Sequence, residues 1–131
     1  MKVPSYAHPG DAGLDIYSAV DEIIKPGEIK LIPTGIMIAV PRGYEAQIRP
    51  KSGLALKGLS IVNTPGTIDS GYRGEVKIIM INFGKDSYVI GKDSKIAQMV
   101  INKVEEAQIK IVSNLEDTPR GEGGFGSTGL K

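Results

Sequence analysis

At 131 residues and 14.0 kDa the chain is the size of one domain and long enough to bury a core without covalent staples. It has no cysteine and one histidine, His8 in a solvated Ala-His-Pro-Gly loop, which excludes disulfides, thiolate zinc, thiol nucleophiles, Ser-His pairs and multi-histidine metal centres. Sixteen basic residues against fifteen acidic ones leave a net charge of +1; with no basic run among aromatics, no leader-like N-terminus and no apolar run near ~20 residues, the sequence reads as a soluble cytoplasmic protein with neither a nucleic-acid nor a membrane surface.

Residues 1–13 are polar and rich in turn formers, and lead into a predicted strand at 14–17. Lys25-Pro-Gly-Glu28 is a turn, followed by a strand at 29–32, a break at Pro33-Thr34-Gly35 and a strand at 36–40. After the turn Pro41-Arg42-Gly43, the segment Tyr44–Arg49 alternates Tyr, Ala and Ile with Glu, Gln and Arg, the pattern of a half-buried strand. Residues 52–59 (SGLALKGL) form the one predicted helix, with Ser52 as its N-cap and Gly58 near its end. Further strands are predicted at 60–62, Glu75–Asn82, Tyr88–Ile90, 95–101 and 104–112. Many short strands at even spacing and almost no helix make an all-β sandwich or barrel.

Within it, Gly66-Thr-Ile-Asp69-Ser-Gly71-Tyr72 reads as a hairpin tip rooted in the core, carrying one acid and one aromatic. Gln98 interrupts an otherwise apolar strand, and is read either as a satisfied core amide or as a functional one. Residues 117–131 (DTPRGEGGFGSTGLK) contain five glycines and no periodicity. They are set apart from a β domain at 1–116 as a flexible C-terminal arm, which stretched out reaches on the order of 50 Å, against a radius of gyration of about 14 Å for the globule. Such an arm is either a disordered end or one that touches a neighbour.

Gly121-Glu-Gly-Gly-Phe-Gly126 has the letters of a dinucleotide fingerprint, but no strand–helix context surrounds it, so a Rossmann site is ruled out. The arm still offers what a polyphosphate binds: Arg120, the Ser127 and Thr128 hydroxyls, and closely approaching glycine amides. Phe125, alone among glycines, suits stacking on a flat ring. Arg49-Pro-Lys51-Ser52-Gly53 places cations and a hydroxyl at the start of the short helix, a second anion site. No metal cage is visible, although a hydrated Mg²⁺ carried on phosphates needs only one carboxylate. The residues alone point to a compact β protein that binds a nucleotide polyphosphate and hydrolyses it with a positioned water.

Five stretches together resemble the homotrimeric dUTP pyrophosphatase family. In order they are Ala12-Gly-Leu-Asp15-Ile-Tyr-Ser-Ala19, Lys51-Ser-Gly-Leu-Ala55, Gly66-Thr-Ile-Asp69-Ser-Gly-Tyr72-Arg-Gly-Glu75, Lys95-Ile-Ala-Gln98-Met99 and Arg120-Gly-Glu-Gly-Gly-Phe125-Gly-Ser-Thr-Gly129. The resemblance implies a β jelly roll that trimerises around three shared active sites. It implies hydrolysis of dUTP to dUMP and pyrophosphate, which keeps uracil out of DNA and supplies dUMP for dTMP synthesis. Asp69 then activates the attacking water. Asn63, Gly66, Thr67, Ile68, Tyr72 and Lys77 receive the deoxyuridine, with Phe125 closing over the uracil. Lys51, Ser52, Gly53, Gln98, Arg120, Ser127 and Thr128 hold the phosphates, and Asp15 is the outer-shell carboxylate of Mg²⁺.

Two departures stand out. The family usually has arginine where this chain has Lys51, which predicts weaker clamping shared with Arg49. Few residues precede the first motif, where relatives carry another strand, so a trimmed N-terminus or a different first sheet edge is expected. Two other functions fit the same shell: a dCTP deaminase with Glu75 as its water-activating acid, and a non-catalytic trimeric nucleotide-binding module. The hairpin and the arm favour the pyrophosphatase.

Overall fold

The computed structural model describes residues 1–129 and 131; Leu130, within the predicted arm, lies outside them. Among the described residues there are nine strands and one helical turn, and every strand pair is antiparallel. The strands are β1 (Gly13–Tyr17), β2 (Glu22–Ile24), β3 (Ile29–Met37), β4 (Tyr44–Arg49), β5 (Leu59–Ile61), β6 (Gly66–Ile68), β7 (Glu75–Asn82), β8 (Tyr88–Ile90) and β9 (Lys95–Lys103). They form a four-stranded sheet β1-β9-β4-β6, a three-stranded sheet β3-β7-β5 and the pair β2-β8. This is the all-β architecture that the strand spacing predicts and the jelly-roll-like fold that the resemblance implies. Among the described residues no helix is long and apolar enough to cross a membrane.

The core is dominated by isoleucine. Ile16, Ile24, Ile32, Ile78, Ile90 and Ile96 are essentially inaccessible, and each contributes roughly 1.5–3 kcal/mol by leaving water. β-branched side chains at every second position favour the pleated strand and fill the space between sheets. The buried Asn82 is the main polar group of this region. Its amide donates to the carbonyls of Ile24 and Asp86 (2.8 and 2.9 Å) and accepts from the Gly84 amide (2.8 Å), which ties β7 to the strands around it.

The structure corrects five sequence expectations. The break at Pro33 is no break, because β3 runs through it as an edge strand whose register against β7 shifts between Pro33 and Met37. A proline is tolerated at an edge or bulge, where its missing N–H removes no ladder bond. The Thr34 hydroxyl donates to the Val76 carbonyl, and the Gly35 amide donates to Glu75 Oε2 (3.2 Å), so the bulge is satisfied. The helix is only Ser52–Ala55, with Lys51 rather than Ser52 at the N-cap and no side-chain cap bond. Gly58 lies beyond it in a left-handed turn (φ 88°), packed on the backbone of Gly84.

The strands on either side of the predicted hairpin tip, β5 and β7, do pair antiparallel, but the stretch between them carries an unforeseen strand, β6, that leaves them and pairs with β4. β2 was not foreseen. Residues 104–112 form no strand: Ile109 and Ile111 are 87% and 95% exposed. An alternating segment becomes a strand only where a free edge accepts its N–H and C=O groups.

Candidate active site

The excursion from β5 to β7, residues 62–74, builds the main cleft. Its middle third, β6, crosses to the four-stranded sheet, with Gly66 opposite Ile48 and Ile68 opposite Ala46. The gap left between the two sheets is a cavity of about 560 Å³. Asn63, Gly66, Thr67, Ile68, Asp69, Tyr72 and Lys77 all line it, over an apolar floor that includes Ile48, Ile61 and Ile78. Seven of the eight residues expected to meet deoxyuridine or activate water thus share one cleft, and the eighth, Phe125, lies apart from it.

Local bonds fix this geometry. A Cβ on Gly66 would sit 3.2 Å from Asn63 Nδ2 and 3.4 Å from Ile48, so glycine is what lets the Asn63 amide lie against β6. The Tyr72 amide donates to the Asp69 carbonyl (3.1 Å), closing the turn that carries the acid. The Tyr72 hydroxyl donates to the Glu75 carbonyl (2.9 Å), and its ring lies over Gly74, where a Cβ would collide with it. Arg73 braces the turn through the carbonyls of Ser70 and Tyr72 (2.8 and 3.0 Å).

The loop around Lys51, expected to hold phosphates, forms a second group. Gln98 is neither a sealed core amide nor a free donor: its Nε2 donates to the Pro50 carbonyl (2.9 Å) and so fixes the backbone that leads into Lys51-Ser52-Gly53. Gly13 makes room for it, since a Cβ there would strike the Gln98 amide. Arg49 donates twice to Gln47 Oε1 (3.2 and 2.7 Å) and is engaged along its own strand rather than alongside Lys51.

Asp15, 4% exposed, receives Lys51 Nζ on Oδ1 (2.6 Å) and Lys95 Nζ on Oδ2 (3.0 Å). Burial alone would raise its pKa, but the hydrogen bonds and charges of the two lysines outweigh burial and hold the carboxyl below the usual 3.8. The partnership holds the Lys95 ammonium above its ordinary range. Lys95 was missed as a site residue, because its contact depends on the register shift between Ile16 and Tyr17, which no sequence pattern displays.

A depressed folded pKa places this stabilisation above the unfolded value and removes it as pH falls through the folded one. Asp15→Asn is therefore expected to cost about 2 kcal/mol near neutral pH, as for a hydrogen bond to a charged group. The gap to wild type closes in urea titrations carried below about pH 3.8, and a gap independent of pH would contradict the assignment.

The arm is the third group. The Gly121 amide donates to Thr118 Oγ1 (3.1 Å) and Arg120 Nε to the Gly123 carbonyl (2.9 Å), while Ser127 and Gly129 close turns on Gly124 and Gly126. Arg120, Phe125, Ser127 and Thr128 line a hollow of about 560 Å³ with Pro119 and the glycines between them. Phe125 is fully exposed in left-handed backbone (φ 52°). The arm shares no cavity with the cleft of residues 62–74. Among the described residues no group of three or more His, Asp or Glu side chains is placed to hold a metal.

A dUTPase family profile matches residues 1–129. The deoxyuridine 5'-triphosphate nucleotidohydrolase of Clostridium kluyveri is 59% identical over 128 residues, covering 97% of this chain and 90% of the relative. That of Alkaliphilus metalliredigens is 56% identical over 131 residues, covering 99% and 91%. Among solved structures, the Staphylococcus bacteriophage 80alpha dUTPase with dUPNHPP superposes with a TM-score of 0.91 at 31% identity, covering 98% of this chain and 92% of that one. A dUTPase from phage phi11 of S. aureus superposes at 0.82 with 27% identity, covering 88% and 92%, and is described as coordinating a structural Mg(II) ion. The chain belongs to the dUTPase family.

Proposed function

We propose that the chain hydrolyses dUTP to dUMP and pyrophosphate by attack of a water held on Asp69 at the α-phosphorus, in sites completed by neighbouring copies of itself. The observation that carries this reading is the cleft in which Asp69 stands beside Asn63, Tyr72 and the backbone of β6. Uracil presents an N3–H donor between two carbonyl acceptors. The Asn63 amide and strand backbone can match that pattern, whereas cytosine reverses two of its positions and leaves buried groups unpaired. Tyr72, its hydroxyl tied to Glu75, presses its ring where a ribose 2′-OH would sit. Discrimination against thymine falls to the β6 backbone, which on this reading lies against the C5 position of the ring.

Phosphate handling falls to Lys51, Ser52 and Gly53, with Gln98 holding their backbone. Arg120, Ser127 and Thr128 reach the terminal phosphate as Phe125 covers the base. Asp15 is one carboxylate with both oxygens on lysines, which is no cage for a bare ion but suits the outer shell of a hydrated Mg²⁺ arriving on the phosphates. Bound there, Mg²⁺ would supply charge stabilisation to the three phosphoryl groups. Asp69 takes the proton of the water, and pyrophosphate leaves in line.

A homotrimer supports the sharing of sites. The outer face of β3-β7 pairs Ile29 with Ile81 and Leu31 with Ile79, and Ile29 and Leu31 are more than half exposed. An apolar sheet face of this kind suits a subunit interface, and Leu31 and Ile79 also rim the cleft. We place the enzyme in the cytoplasm with the nucleotide pool. The deaminase alternative is disfavoured because Glu75 Oε2 accepts from the Gly35 amide and is committed to the β3 bulge. Hydrolysis in ¹⁸O water tests the chemistry: the label is expected in dUMP, and label in pyrophosphate would place the attack on the β-phosphorus instead.

A further inference from the structure

We propose that Lys95 is a positioning residue that keeps Asp15 paired and so frees Lys51 to move from Asp15 to the substrate phosphates. The inference rests on the reading of Lys51 as a phosphate ligand and adds the condition under which Lys51 can act as one. Each oxygen of the buried Asp15 carboxylate holds one ammonium, Lys51 at 2.6 Å and Lys95 at 3.0 Å. The two lysines are not equivalent. Lys51 is the N-cap of the helical turn, on the loop that Gln98 anchors through Pro50. Lys95 opens β9 opposite Tyr17, within the sheet.

As the structure stands, Lys51 is occupied. To meet a phosphate it must give up its bond to Asp15, and a buried carboxylate left without a counter-ion is strongly disfavoured. A second lysine on the other oxygen removes that obstacle, because Asp15 stays paired when Lys51 leaves. One carboxylate between two lysines also leaves a net positive charge for the incoming triphosphate. β9 thus serves the loop twice: Gln98 fixes its backbone, and Lys95 takes over the counter-charge of its side chain. The side chain of Lys95 is 49% exposed, so its replacement is compatible with folding.

The test is calorimetric binding of α,β-imido-dUTP in excess EDTA, with deoxyuridine as control ligand, so that neither metal nor turnover enters. Lys51→Met and Lys95→Met are each expected to weaken the analogue about tenfold, as for loss of one charge-assisted contact, and to leave deoxyuridine binding unchanged. Adding Asp15→Asn to Lys95→Met is expected to restore affinity to within about twofold of Asp15→Asn alone, since Lys51 is then no longer held. A double variant as weak as Lys95→Met would mean that Lys95 touches phosphate itself, and would overturn the proposal. Wild-type affinity in Lys95→Met would overturn it and leave the role of Lys51 standing. Wild-type affinity in Lys51→Met would remove the phosphate reading of Lys51 and the proposal with it.

Discussion

Asp69→Asn is expected to abolish turnover while leaving dUTP affinity within about tenfold, since the amide keeps the shape and loses only the ability to take a proton. Asp69 sits just past the end of β6, and its own carbonyl, not its carboxylate, receives the Tyr72 amide. The substitution therefore leaves the turn intact. Asn63, Tyr72 and the β6 backbone still line the cleft, so the base and sugar contacts survive. A loss of general-base catalysis typically costs about 10²–10⁴-fold, and single-turnover rates beside equilibrium binding separate the two effects. A variant that keeps most of its turnover would take Asp69 out of the mechanism.

Deleting residues 120–131 is expected to leave assembly and melting temperature nearly unchanged, to reduce nucleotide affinity modestly and to reduce kcat far more. The buried core contains no residue beyond Val100, and the arm's hydrogen bonds join residues of the arm to one another. Its removal takes nothing from the β sandwich. Fixing about ten such residues over a substrate opposes closure by roughly 1–2 kcal/mol each, so stacking by Phe125 and charge contacts by Arg120 must offset that cost. Much of that binding is therefore realised only in the closed state, where charge develops on the phosphates. Sedimentation, thermal melting, dUTP binding and kcat on the truncated chain separate the outcomes. Dissociation on truncation would make the arm a structural strap, and surviving kcat would deny it a catalytic part.

The strands legible from sequence are those whose own pattern decides them. Tyr44–Arg49, Glu75–Asn82 and Tyr88–Ile90 were predicted to the residue, because alternation or a β-branched run bounded by turns leaves little choice of state. Pairing is another matter. The strands on either side of the Asp69 turn pair with each other, β5 with β7, yet Gly66–Ile68 between them joins a different sheet, and no pattern in those three residues shows it. That transfer opens the cleft. Pro33 ended a strand on paper because proline breaks ladders, but at a sheet edge the Thr34 hydroxyl and Glu75 carboxylate satisfy the bulge.

The site was legible to the same depth. Residues close in sequence, from Asn63 to Tyr72, come to line one cleft because one excursion carries them. The link from Asp15 to Lys95 crosses 80 positions through the β1–β9 register, and only a folded sheet displays it. Likewise Gln98 turned out to hold the Pro50 carbonyl, a contact with a distant loop that its own strand gives no sign of.

The central claim is that one cleft selects uracil and deoxyribose together, and pyrophosphate release from dUTP, dTTP, dCTP and UTP, compared side by side, tests it most directly. The account predicts rapid release from dUTP and kcat/KM lower by orders of magnitude for dCTP, whose ring would leave buried polar groups unpaired. It predicts a similar loss for UTP, whose 2′-OH would meet the Tyr72 ring, and for dTTP, whose methyl would press on the β6 backbone. Comparable turnover of all four nucleotides would contradict it.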